Sequence, residues 1–198
     1  QSMAAEYRPR DENLSATVEQ SRRTANWEIH WDEQHNTPRF IRSKDRKTPV
    51  YQLGIAKSSA DAVSNFLIEN RELFRLESPT DELILESEKY ENLGKKHLRY
   101  RQQYKGIPIW RQEFTVHLEG ETEIYAINAR YSPTPVELDV QAAGIAGSSA
   151  AEIASSDLAA TTELVAFDER TRKILQYPHP LVNQYIWIER VSGAAHLV

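Results

Sequence analysis

The chain has no cysteine. No disulfide can staple it, and no thiolate is available as nucleophile or metal ligand. That absence fits the cytosol and a secreted bacterial protein equally well. Seven glycines are scattered through 198 residues and nowhere form a loop able to cradle a phosphate. No apolar run approaches the roughly 20 residues that a membrane-spanning helix needs. No secretory signal stands at Gln1, although a removed signal leaves no trace. The string His-Glu-x-x-His, which puts two zinc ligands and a general base on one helix face, does not occur. No Ser–His–Asp set or carboxylate pair is nominated by the residues either. An excess of basic charge is also missing. The 24 lysines and arginines face 29 acids, for a net charge of −5, which supplies no electrostatic reason to bind nucleic acid. Residues 61–92 hold nine acids and three bases and read as a solvated acidic face.

What is present is strand-like alternation, densest from His97 to Tyr131. Leu98, Tyr100, Gln102 and Tyr104 fall on one side of an extended strand, and His97, Arg99, Arg101 and Gln103 on the other. Lys105-Gly106-Ile107-Pro108 bends the chain: Gly106 is expected at positive φ, and Pro108 withholds a ladder donor. Phe114, Val116 and Leu118 mark a second strand, and Glu119-Gly120-Glu121 a hairpin turn. Ile124 to Tyr131 is a third strand, with Tyr125, Ile127, Ala129 and Tyr131 expected on one face. Ser132-Pro133-Thr134-Pro135 ends this meander.

Upstream, residues 1–24 are polar and are expected to form a flexible arm, in which Asn13-Leu14-Ser15 matches a glycosylation acceptor. Residues 25–50 read as a hairpin: Trp27, Ile29 and Trp31 alternate with Glu28, His30 and Asp32, Glu33 to Pro38 turn, and Arg39 to Arg42 return. His30 and His35 stand at a spacing that suits neither a helix face nor a zinc signature. Ser58 and Asp61 resemble a capping box opening a helix through Val63, Phe66, Leu67 and Phe74, with Asn70 to Phe74 as its last turn. Leu83-Ile84-Leu85 begins a strand ending near Tyr90, and Asn92-Leu93-Gly94 turns into the meander. Residues 51–135 are thus expected to form one helix on a four-stranded antiparallel sheet.

Downstream, residues 136–148 read as a linker. Ser148 or Ser149 is expected to cap an Ala-rich helix through about Ala160. Glu163 to Phe167 is then a strand, Asp168 to Arg172 a turn, Lys173 to Gln176 a return strand, and Tyr185 to Glu189 another. No cap or turn signal marks His196-Leu197-Val198, and the expectation is a cut or processed precursor.

The run HLRYRQQYKGIPIWRQEFTVHLEG resembles the hallmark of the fungalysin/thermolysin propeptide (FTP) domain. The matching residues are His97, Arg99, Tyr100, Gln102, Tyr104, Gly106, Pro108, Trp110 and, at the turn, Gly120. The family usually has glycine where Ala129 follows Asn128 here. The resemblance extends back to Asn70–Phe74, and the Trp27/Trp31 strand with Thr37-Pro38-Arg39 is similar to the start of many pro-regions of this family. More weakly, residues 149–198 resemble the PepSY domain that follows FTP in such precursors.

The resemblance implies an α+β fold of two small domains, each a helix packed on an antiparallel sheet, the first cystatin-like. It implies the pro-region of a secreted zinc metallopeptidase, acting as intramolecular chaperone and inhibitor of the catalytic domain. It implies no catalytic residue and no metal or cofactor in this chain, zinc being expected only in an attached catalytic domain. The implied partner is that catalytic domain, with no nucleic acid and no membrane span. The implied location is outside the cell or in its envelope. Family-motif residues and candidate partner contacts are His97, Arg99, Tyr100, Gln102, Gln103, Tyr104, Gly106, Pro108, Trp110 and His117. Two of these groups have a second reading. Arg99 and Gln103 share a face and can pair across strands. Trp110, Tyr100, Tyr104 and Tyr125 can be core or a stacking platform. A free-standing secreted module or peptidase inhibitor of the same fold, or an enzyme with a dispersed hydrolytic site, are the alternative functions.

Overall fold

A computed structural model describes residues 24–53, 57–91, 94–141, 145–163, 167–176, 183–189 and 192–197. The N-terminal arm with its glycosylation triplet, the centre of the expected 163–167 strand, most of the Asn92-Leu93-Gly94 turn and part of the linker lie outside the described residues.

The fold is α+β. The strands are β1 (Trp27–Asp32), β2 (Thr37–Ser43), β3 (Tyr51–Gln52), β4 (Leu83–Tyr90), β5 (Lys95–Tyr104), β6 (Ile107–Glu119), β7 (Glu123–Arg130), β8 (Ile186–Ile188) and β9 (Ala195–Leu197). The helices are α1 (Ser59–Glu69), α2 (Arg71–Phe74), α3 (Pro79–Glu82), α4 (Gly147–Thr161) and α5 (Glu169–Leu175). The main sheet runs β1-β2-β7-β6-β5-β4, every neighbouring pair antiparallel, so the N-terminal hairpin extends the sheet of the meander. β8 joins β6 in parallel through Ile109 and Ile186 and pairs with β9, which makes the whole sheet mixed rather than purely antiparallel.

Alternation decides what the sheet buries. Leu98, Tyr100, Phe114, Val116, Leu118, Ile127 and Ile41 all point to one face and are buried there. Helix α1 lies on that face with Ala62, Val63, Phe66 and Leu67. Phe66 packs its ring against Trp27, Tyr51 and Phe74, and Phe74 against Phe114 and Tyr131, with centroids 4.7–6.5 Å apart. Each such ring contributes about 1.5–3 kcal/mol by leaving water.

The helix starts as its sequence predicts: the Asp61 N–H donates to Ser58 Oγ at 3.1 Å. Its end does not. The single helix expected through Phe74 breaks at Asn70, whose Nδ2 donates to the Phe66 carbonyl at 2.8 Å and competes with the backbone for it. A separate short turn follows and stops at Arg75, which is left-handed at φ 56°.

Three further expectations are corrected. Tyr125 does not share a face with Ile127. The register slips between His117 and Leu118, Ile124 turns inward in its place, and Tyr125 lies on the outer face against His117 and Lys95. Residues 168–176 form helix α5 instead of a turn and return strand. Asp168 accepts from the Thr171 N–H at 2.7 Å, Glu169 pairs with Lys173 one turn on, and Arg172 and Lys173 occupy the last turn. Helix α4 begins two to three residues earlier than expected, with Ala146 rather than a serine at its N-cap. None of its residues is buried.

Candidate functional site

Strands β5 and β6 meet in a two-residue turn in which Lys105 and Gly106 both have positive φ, 49° and 84°, the combination that matches the twist of a hairpin. Open space surrounds the missing Cβ of Gly106, so the glycine is required by the backbone angle alone. Pairing runs Tyr104 to Ile107 and Gln103 to Pro108, and resumes only at Arg101 with Glu113. Ile109, Trp110, Arg111 and Gln112 therefore bow out of the ladder opposite Gln102 alone. Arg111 sits at φ 58° to make that bow.

The bow has two consequences. Ile109 leaves the main core and enters a second cluster with Leu138, Ile186 and Ala195, against which Tyr104 and Ile107 also pack. Gln102, fully buried, fills the gap. Its Nε2 donates to the Ser132 carbonyl at 2.6 Å, and its Oε1 accepts from the Ser132 N–H at 3.0 Å. Nearby, Gln103 Nε2 donates to the Asp81 carbonyl at 2.8 Å, so its partner is a helix end and not Arg99.

The outer face of the sheet is polar. His97 and His117 are direct cross-strand partners with Nδ1 atoms 2.6 Å apart. His117 Nε2 lies 2.8 Å from Asn128 Nδ2, and His97 Nε2 lies 3.2 Å from Glu91 Oε1. With Asn128 donating to His117 Nε2, His117 Nδ1 carries the proton and donates to His97 Nδ1, which leaves the proton of His97 on Nε2, near Glu91 but outside hydrogen-bond geometry. Burial, and next the neighbouring His97, push the His117 imidazole down to about 4, with Glu91 pulling the other way.

Beside the histidines, Arg99 bonds Glu113, Arg130 reaches Glu113 at 3.3 Å, and Arg99 and Arg101 lie 3.7 and 4.0 Å from Glu86. Together with Trp110, Arg111 and Tyr185 they line an open recess of about 510 Å³. Trp110 is 46% exposed, meets Tyr185 edge to face at 5.0 Å, and carries the Arg111 guanidinium 5.6 Å from its ring centre. Among the described residues no group of three or more His, Cys, Asp or Glu is placed to hold a metal ion, and no helix is long and apolar enough to cross a membrane.

The predicted positions thus divide. Tyr100 and Gln102 are core, Tyr104, Gly106 and Pro108 build the turn, and Gln103 braces a helix end. His97, His117, Arg99 and Trp110 reach the outer face or the recess. Tyr100, Tyr104, Trp110 and Tyr125 form no common platform: Tyr100 lies inside, Tyr104 serves the second cluster, and Trp110 and Tyr125 meet different neighbours. Sequence reasoning missed Arg101, Arg111, Arg130 and Tyr185 as one constellation. Alternation places Arg101 on the outer face, but nothing in the sequence marks an arginine at position 111 as left-handed.

Two comparisons with known proteins are informative. Over 82 residues, 41% of its length, the chain is 28% identical to Bacillolysin of Bacillus amyloliquefaciens, and 30% identical to Bacillolysin of Bacillus subtilis (strain 168) and of Bacillus subtilis subsp. amylosacchariticus. In each case the match spans 16% of the relative's length. Residues 81–131, the stretch that contains β4 to β7, the bow and the histidine pair, match the Fungalysin/Thermolysin Propeptide Motif.

Proposed function

We propose that this chain is the pro-region of a secreted zinc metallopeptidase precursor, assisting the folding of the catalytic domain and holding it inactive until cleavage. The observation that carries the reading is the propeptide motif over residues 81–131. The similarity to bacillolysins supports it. The chain itself is no enzyme in this reading, and zinc belongs to the attached catalytic domain. The finer organisation is part of the proposal: an arm (1–24), a hairpin (25–50), a cystatin-like FTP domain (51–135), a linker (136–148) and a PepSY-like domain (149–198). His97, Arg99, Trp110 and His117 are the motif residues available for partner contact.

Chaperoning and inhibition are then one physical act. A surface that binds the native catalytic domain and not its unfolded chain stabilises the native state by mass action, and the bound pro-region covers the cleft. The test is to read the gene on both sides of this chain and co-express the chain with any neighbouring domain that carries His-Glu-x-x-His. Active peptidase should be recovered only when the chain is present during folding, and excess chain should inhibit it. Recovery without the chain, or a gene with no such domain, overturns the pro-region reading in favour of a free-standing module.

A further inference from the structure

We infer that the recess beside the bow of β6 is a docking groove for an acidic, partly apolar segment of a partner protein. The pro-region reading supplies the source of that segment, the catalytic domain; the groove's chemistry stands on its own residues. Four arginines, Arg99, Arg101, Arg111 and Arg130, line it against two glutamates, Glu86 and Glu113. Glu113 is engaged by Arg99 and Arg130, and Arg101 reaches Glu86 only at 4.0 Å. Arg111 has no carboxylate within ion-pair distance among the described residues. The groove therefore holds uncompensated positive charge within a molecule of net charge −5.

Arg111 is also held in place. Its backbone occupies the left-handed region at φ 58°, which is unfavourable for a residue with a Cβ and which glycine adopts freely. Its guanidinium lies over Trp110, and Trp110 rests edge-on against Tyr185. A stacked guanidinium keeps its in-plane N–H donors free, in the fork that matches a carboxylate. The half-exposed indole beside it offers apolar surface to the residues flanking an acidic side chain.

Arginines beside aromatic rings also suit single-stranded nucleic acid, which needs a basic track several nucleotides long. Here Glu86 and Glu113 already lie in the groove, and beyond it on the same face Glu91 stands beside His97. A phosphate chain running beyond the recess meets like charge. A short acidic segment does not.

The experiment titrates the full chain into two dye-labelled peptides, Gly-Glu-Leu-Asp-Gly and its neutral counterpart Gly-Gln-Leu-Asn-Gly, and follows anisotropy. The acidic peptide should bind at least about tenfold more tightly than the neutral one and weaken about tenfold from 50 to 500 mM salt. Arg111→Gly removes the side chain while relieving the left-handed backbone, so it should fold as well as the parent and bind the acidic peptide roughly fivefold or more weakly. Arg39→Gln, which alters net charge equally at the exposed Arg39 of β2, should bind as the parent does. Equal binding of the two peptides, no binding of either, an unaffected Arg111→Gly variant, or tighter binding of a thymidine oligonucleotide each overturns the inference. A chain that binds the acidic peptide but has no peptidase domain in its gene keeps the groove and loses the pro-region reading. The reverse outcome keeps the reading and loses the groove.

Discussion

Gln102 is fully buried and yet polar at both atoms of its amide, and each atom has one partner on the backbone of Ser132. The pair imitates the ladder bonds that β5 would make if β6 did not bow away. Replacing Gln102 by methionine keeps the volume and removes both bonds. The Ser132 N–H and C=O would then be buried without partners, at about 1–3 kcal/mol each. We expect Gln102→Met to lower unfolding free energy by about 2–4 kcal/mol in urea titrations, and a loss under about 0.5 kcal/mol would show that water takes over the pairing. The inward direction of Gln102 was legible in the alternation of Leu98, Tyr100 and Gln102. Its partner was not, because the register gap that creates the need spans four residues of another strand. The same gap hides Arg111, since a positive φ at arginine has no counterpart in composition.

At the scale of the element, strands were more readable than helix ends. Alternation of large apolar residues survives any register that keeps one face buried, so β5, β6 and their turn followed directly from residue order. Tyr125 failed because one slipped residue exchanges inside for outside. Helix α5 failed because a single capping aspartate with well-placed charges outweighs the strand-like Ile174 and Leu175. The β5–β6 pair also holds a strongly perturbed imidazole. His117 binds a proton more weakly when folded, at about 4, than in an unfolded chain, at about 6.5. Between those values the unfolded chain carries more protons, so stability is complete above about pH 6.5 and declines as pH falls towards 4. Allowing for the ring's partial exposure, the decline amounts to about 1–2 kcal/mol. His117→Gln should remove that part of the loss. The measurement is the difference in urea midpoint between about pH 7.5 and 4.5 for parent and variant, and identical differences would exclude His117 as the titrating group.

Over the whole molecule, β6 serves two hydrophobic clusters: Phe114, Val116 and Leu118 belong to the larger and Ile109 to the smaller. The smaller one fixes β8 and β9 through Ile186 and Ala195. Ile186→Ala should leave a cavity costing about 2–4 kcal/mol that is local to this cluster. Amide exchange in β8 and β9 should rise while that of β5 and α1 stays at the parent's level, and uniform loss of protection would mean that the clusters unfold as one. The strand order carries a further consequence, and it concerns time. Strands β4 to β7 each pair with a neighbour in sequence, so they can close by short loops. The hairpin of β1 and β2 comes first from the ribosome, yet the edge it needs is β7, where Phe40 meets Asn128 and Ile41 meets Ile127. Until β7 has been made, the inward side chains of that hairpin, Ile41 among them, lack the strand they lie beside. The first part of the main sheet to be made waits for the last of its strands, and during that interval an open strand edge is offered to whatever else is near.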